Sequence, residues 1–278
     1  MKLRTLKKTV IILFAIFLLV KILDVKGSVD RPPELPDYEK IDLETLIDVE
    51  ILYTQGAEEN VMNLIFLQTG LGKDGLDSVR KECRNVDEFK EELQRYQKQL
   101  FEGTNDIRFV PLRDGDVLVS MSQRLCYFVH GHAAIVTDAK ADEILEARSY
   151  RAGSLMGTKE RWSDISSVVV LRVKDEISDG FEKENGCEPE KEAATYAAEN
   201  LSGLKYSLFK DLRPMADAIP EYTQCAHLVW YAYYASGLDI DENRGLIVKP
   251  KDFLESDVFE VVQVYGISPQ TVLKMRSE

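Results

Sequence analysis

The feature that most limits the fold is a change of periodicity near residue 105. Upstream, over residues 42–103, apolar residues recur at helical spacing. Leu43, Leu46, Ile47 and Ile51 share one helix face, and Val86, Phe89, Leu93, Tyr96 and Leu100 follow at steps of 3, 4, 3 and 4. Asn85 stands where a helix cap belongs, Glu88 follows three residues on, and Gly103 marks the end. Such a stripe is packing surface and carries no chemistry.

Downstream the texture is that of strands. Gly115-Asp116-Val117-Leu118-Val119-Ser120 reads as a strand after a turn, and 125–137 is β-branched, aromatic and small up to the polar turn 138–142. Residues 143–149 and 168–173 read as further strands. Two helices follow: 189–203, rich in Ala and ended by Gly203, and 223–236, closed by Gly237. Strands followed by helices predict an α+β fold, an antiparallel sheet packed on helices and preceded by a helical extension. The expected divisions are 1–27, a signal peptide or membrane anchor; 28–41, a linker; 42–104, the helical extension; 105–265, the main domain; and 266–278, a C-terminal tail.

Val10–Val20 is an unbroken apolar run of eleven residues behind a basic start, Met1 to Lys8. A membrane span needs about 20 apolar residues, whereas signal-peptide cores run about 7–15. The run fits an export signal or a short anchor in which Lys21 snorkels, and the basic flank puts the body outside the cytoplasm. Pro32, Pro33 and Pro36 fit an extended linker beyond it.

Residues 1–27 hold six of the 35 Lys/Arg and one of the 48 Asp/Glu, so the body carries 29 basic and 47 acidic residues, a balance of −18. Such a body repels phosphate backbones, and no nucleic-acid partner is expected. No cofactor or metal is expected either. Cys83, Cys126, Cys187 and Cys225 lie 43, 61 and 38 residues apart, which matches no metal-ligand spacing. Gly70-Leu71-Gly72-Lys73-Asp74 lacks the first Gly and the Ser/Thr of a phosphate loop. Asp239-Ile240-Asp241-Glu242-Asn243 has Arg244 where the turn Gly of a calcium loop belongs.

One constellation remains. Cys225 opens the helix Cys225-Ala226-His227-Leu228-Val229-Trp230, where the positive end of the helix dipole favours a thiolate. His132, in Gly131-His132-Ala133-Ala134-Ile135-Val136, has small neighbours that leave room for another element to approach its ring. Glu146, in Ile144-Leu145-Glu146-Ala147, shares a sheet face with His132 if the hairpin loop is odd and centred on 139 or 140; an even loop sets them on opposite faces. A thiol nucleophile, an imidazole base and a carboxylate that orients the imidazole form a hydrolytic set. His130 has the same strand parity as His132, so spacing leaves both open as the base. His227, about 200° round the helix from Cys225, reads as structural, and Cys126, Cys83 and Cys187 as packing or surface positions.

The order of these segments resembles the YiiX/YebB-like branch of the NlpC superfamily. Gly115-Asp116-Val117-Leu118 is similar to its opening strand, Gly131–Val136 to its histidine strand, and Leu145-Glu146-Ala147 to the strand with the polar partner. Gly203-Leu204-Lys205-Tyr206 is similar to its Gly-x-x-Tyr segment, and Gln224-Cys225-Ala226-His227-Leu228-Val229 to its nucleophile helix. The resemblance spans roughly 105–262. It implies a circularly permuted papain-like (NlpC-like) domain with a Cys225–His132–Glu146 triad and hydrolysis or transfer at an amide bond. Gln224 and His227 depart from the aromatic and acidic residues usual beside the family's cysteine.

These readings predict an exported or membrane-anchored cysteine hydrolase, its catalytic domain extracytoplasmic, acting on wall peptides or related amides, lipid-linked ones included. Two alternatives stand beside it: an acyltransferase or lipid-ester hydrolase, and a non-catalytic surface binding module.

Overall fold

The computed structural model describes residues 32–277, apart from 105, 126–127, 130, 212–217 and 242. The apolar run at 1–27, His130 and Cys126 lie outside the described residues. Among those described, no helix is long and apolar enough to cross a membrane.

The extension folds as five helices: α1 (Leu43–Leu46), α2 (Val49–Gln55), α3 (Glu59–Thr69), α4 (Lys73–Glu82) and α5 (Val86–Glu102). The α5 stripe is buried as its spacing predicts, with Phe89, Leu93, Tyr96 and Leu100 in the core. Asn85 Oδ1 accepts from the Glu88 amide at 2.9 Å, while the Glu88 carboxylate folds back to the Arg84 amide. The first stripe needs correction. Asp48 caps a new helix by accepting from the Glu50 and Ile51 amides, which breaks the chain between α1 and α2. Leu43 is buried as expected, but Leu46 and Ile51 are exposed, and Val49 and Leu52 take their place in the core.

The main domain is an antiparallel six-stranded sheet. In chain order the strands are β1 (Val117–Ser120), the short pair β2 (Arg124–Leu125) and β3 (Phe128–Val129), β4 (His132–Asp138), β5 (Glu143–Ser149), β6 (Gly153–Thr158) and β7 (Val168–Val173). The parallel pair β8 (Lys205–Tyr206) and β9 (Tyr222–Thr223) precedes β10 (Phe259–Tyr265). The sheet order is β10-β7-β1-β4-β5-β6. Its helices are α6 (Lys159–Ser163), α7 (Asp175–Asn185), α8 (Pro189–Asn200), α9 (Cys225–Ala235), α10 (Pro250–Glu255) and α11 (Pro269–Ser277).

Alternation along the strands divides the core between two faces. Val117, Val119, Ala133, Ile135, Leu145 and Leu171 pack with residues of α8 and α9. Leu118, Ala134, Val136, Ile144, Val168 and Val170 pack with the extension helices. The arrangement is α+β, with helices on both faces of the sheet. α9 is buried from Cys225 to Tyr233, which makes it the central helix of its layer.

Two expected peripheral segments are docked. Of the linker, Ile41 N donates to Gln68 Oε1 at 2.9 Å and Glu34 N to the Gly266 carbonyl at 2.9 Å. The expected tail includes helix α11, with Val272 fully buried. The glycines at 70–75 serve packing. A Cβ on Gly72 would stand 1.7 Å from the Val261 carbonyl oxygen, so glycine lets the α3–α4 turn lie against β10.

Candidate active site

His132 is the first residue of β4 and Cys225 the first of α9, so imidazole and thiol meet where both elements begin. Ala133, the small neighbour on the helix side, lets α9 come close to the strand. The start of α9 is fixed by Gln224, whose Oε1 accepts from the Ala226 amide at 2.9 Å while its Nε2 donates to the Val248 carbonyl at 2.7 Å. The Cys225 thiol donates to Gln224 Oε1 at 3.4 Å and lies close enough to the His132 ring to raise its imidazole.

The other ring nitrogen belongs to Glu146. His132 Nε2 and Glu146 Oε2 are 2.7 Å apart, which leaves Nδ1 for the thiol. All three side chains are buried, Glu146 completely. Burial alone would lower the imidazole, but its interactions with Cys225 and Glu146, which accept from the protonated ring, and their charges outweigh it and push it up to about 9. Burial likewise opposes ionisation of Glu146. The bond to His132, its charge and the guanidinium of Arg161, with a bond from Arg148, hold the carboxyl below its ordinary range.

Four residues at this site were not among those expected from the sequence. Arg148 Nε donates to Glu146 Oε1 at 2.7 Å, and an Arg161 terminal nitrogen donates to Oε2 at 2.9 Å. Trp162, fully buried, stacks on the imidazole at 5.5 Å between centroids and 10° between planes. Arg161 and Trp162 both come from the short helix α6, which thereby holds both Glu146 and His132. Gly157 on β6 makes room: a Cβ there would stand 2.9 Å from Arg148 Nη2 and 3.3 Å from Glu146 Oε1. Only Arg148 had a readable signal, since it lies two residues beyond Glu146 on one strand face.

Tyr206, singled out by the Gly-x-x-Tyr resemblance, lies close enough to Cys225 to feel its charge. Burial first, then Cys225 and Tyr150, push its phenol up. Its ring meets that of Tyr150 at 5.1 Å. His227 takes no part: its Nδ1 pairs with Thr223 Oγ1 at 3.0 Å and its ring stacks on Tyr231. Cys83 and Cys187 are free thiols away from this cluster. The carboxylate of Asp239 accepts from Trp230 Nε1 at 2.9 Å, and Asp74 pairs with Arg172 and Arg113. Both motifs set aside in the sequence are thus in structural use. Among the described residues, no group of His, Cys, Asp and Glu is arranged to hold a metal.

A scan of family models, a search of curated proteins and a search of solved structures returned no match to this chain.

Proposed function

We propose that this protein is a cysteine hydrolase of the amidase or endopeptidase type, with Cys225 as nucleophile, His132 as base and Glu146 as the group that orients the base. The observation that carries the reading is the continuous contact from thiol through imidazole to carboxylate, with the 2.7 Å bond committing Nε2 to Glu146.

The chemistry follows from that bond. With its imidazole pushed up to about 9, His132 already holds the Cys225 proton on Nδ1 at neutral pH, and the thiolate attacks the carbonyl carbon of the scissile amide. The dipole of α9 favours the oxyanion that forms. Imidazolium then delivers its proton to the leaving nitrogen as the C–N bond breaks, giving a thioester on Cys225 and a free amine. Water, deprotonated by the same Nδ1, attacks the thioester and releases the carboxylic acid. Glu146 remains ionised throughout, held by Arg148 and Arg161, and keeps the ring in its working orientation.

The order of the elements, histidine strand before cysteine helix, supports a circularly permuted papain-like domain of the YiiX/YebB-like branch. The apolar run at 10–20 supports export or anchorage, with wall peptides or related amides as substrates.

The test is covalent. The purified protein is mixed with peptide amides from bacterial wall digests and Cys225 is examined by mass spectrometry. An acyl adduct on Cys225, absent in Cys225→Ala, is the expected result. A thiol alkylated by iodoacetamide at pH 6.5 no faster than glutathione, with no acyl adduct from any amide, overturns the reading in favour of a binding module.

A further inference from the structure

Glu146 is surrounded by more positive charge than its neutralisation needs. One guanidinium matches one carboxylate, yet His132, Arg148 and Arg161 all bond to this one. Arg148 uses its Nε and Arg161 one terminal nitrogen on Glu146. Their remaining donors have no acceptor among the described residues, and the side chains are 29% and 36% exposed. The two guanidiniums crowd each other: burial first, then the like charge of Arg148, hold Arg161 below its ordinary range against the pull of Glu146. In a chain of net charge −13, this is a local excess of positive charge behind the imidazole, on the side away from the thiol.

We propose that Arg148 and Arg161 bind a carboxylate of the substrate, so that the site selects peptide amides bearing a free carboxylate several bonds from the scissile carbonyl. Two half-used planar forks suit the two oxygens of such a group. The open donors place the anion at the solvent side of Glu146. This inference deepens the hydrolase reading and rests on it for the bond that is cut, though not for the binding of the anion.

The experiment uses the reactivity of Cys225 and needs no known substrate. Bromoacetyl-glycine, bromoacetyl-β-alanine and bromoacetyl-γ-aminobutyrate place a carboxylate at stepped distances from the reactive carbon. Each is compared with its carboxamide, and glutathione sets the reference ratio. At one chain length the carboxylate reagent should be preferred about tenfold more than glutathione prefers it. Arg148→Gln and Arg161→Gln should each bring the ratio to within about twofold of glutathione; the ratio is read within each variant, so a change in thiol reactivity cancels between carboxylate and carboxamide. If a glutamine variant does not fold, the lysine variant, which keeps a charge on Glu146 but loses the planar fork, should lower the ratio in the same direction. A ratio equal to that of glutathione at every length, or one that no arginine substitution changes, overturns the proposal. Protection by inorganic phosphate at lower concentration than by acetate also overturns it, by assigning the arginines to phosphate. A thiol slow toward every reagent whose ratio still depends on the arginines would sink the hydrolase reading and support the carboxylate site.

Discussion

His132 and Glu146 are diagonal neighbours across β4 and β5: Ala134 is the residue directly opposite Glu146, and the imidazole reaches along the sheet face to the carboxylate at 2.7 Å. A one-residue irregularity makes this possible. The turn at 139–142 has four residues, which alone would put the two side chains on opposite faces. The shift between Val136 and Asp138, at Thr137, restores the parity. The carboxylate does two things, orienting the ring and balancing its positive charge, and Glu146→Gln separates them from side-chain volume. On the hydrolase reading, turnover should fall about 10²–10⁴-fold with little change in KM. Removing one member of a buried ion cluster should also cost about 3–5 kcal/mol of stability. Steady-state kinetics and urea unfolding of the same preparation measure both.

The imidazole also makes stability depend on pH. Its folded value, about 9, lies above the ordinary 6.5, so the folded state holds the proton more tightly than the unfolded chain does. That stabilisation is fully present below pH 6.5 and is lost as pH rises through 9. Unfolding free energy should therefore decline between those values, by roughly 3 kcal/mol at most. Urea titrations across the window should show the decline in wild type and a nearly flat line in His132→Gln. Because Cys225 contributes to the shift, Cys225→Ala should move the decline to lower pH. A wild-type profile as flat as that of His132→Gln would show that the ring is not held in this way.

Much of this arrangement is legible in the sequence, for reasons that also explain the failures. The α5 stripe and its Asn85 cap are local, and local rules decide them. The three central residues are legible from the helix start at Cys225 and from their order along the chain; strand parity alone is not enough, because the turn is even and the irregularity at Thr137 restores the shared face. Leu46 and Ile51 fail because the side chain of Asp48 starts a new helix and overrides the apolar spacing. Strand β6, Gly153-Ser154-Leu155-Met156-Gly157-Thr158, lacks alternation and has a single β-branched residue, at its end, so only its pairing with β5 makes it a strand. Arg161 and Trp162 depend on where that strand delivers a five-residue helix, which is decided by tertiary packing.

Trp162 gives a prediction that distinguishes its packing from its stacking. The indole is fully buried and lies parallel to the imidazole. Trp162→Ala should cost about 3–5 kcal/mol through lost contacts and the cavity left behind. It should also free the ring to turn and admit water to the bond with Glu146, lowering kcat about tenfold or more. Trp162→Phe keeps a flat ring in the same place and should recover most of the kcat while remaining less stable than wild type. Thermal melts and kcat, measured on both variants, check the two parts separately. Equal losses of kcat in Ala and Phe would mean that the indole itself, not a stacked ring, matters.

The extension is joined to the sheet by backbone as well as by side chains, and Gly72 is where the contact is closest. Its amide donates to the Val262 carbonyl at 2.9 Å, and Val264 N donates to the Gly70 carbonyl at 2.7 Å, so the turn continues the sheet beyond β10. At Gly72 the backbone is ordinary extended chain, with φ of −73°, so alanine adds no conformational strain. The obstacle is steric: the new Cβ would stand 1.7 Å from the Val261 carbonyl oxygen, a backbone atom that cannot swing aside. Gly72→Ala should therefore push the α3–α4 turn off β10, lose both hydrogen bonds and cost at least about 3 kcal/mol. Gly180→Ala, in exposed helix α7 with nothing within 4 Å of the new Cβ, should stabilise slightly, by about 0.5–1 kcal/mol. Hydrogen exchange of the Gly72 and Val264 amides localises the effect: both should lose protection in Gly72→Ala while amides in β1 and β4 keep theirs. Unchanged protection at Gly72 and Val264 would mean that the turn can shift without leaving the sheet, and that the extension is held by its apolar face alone.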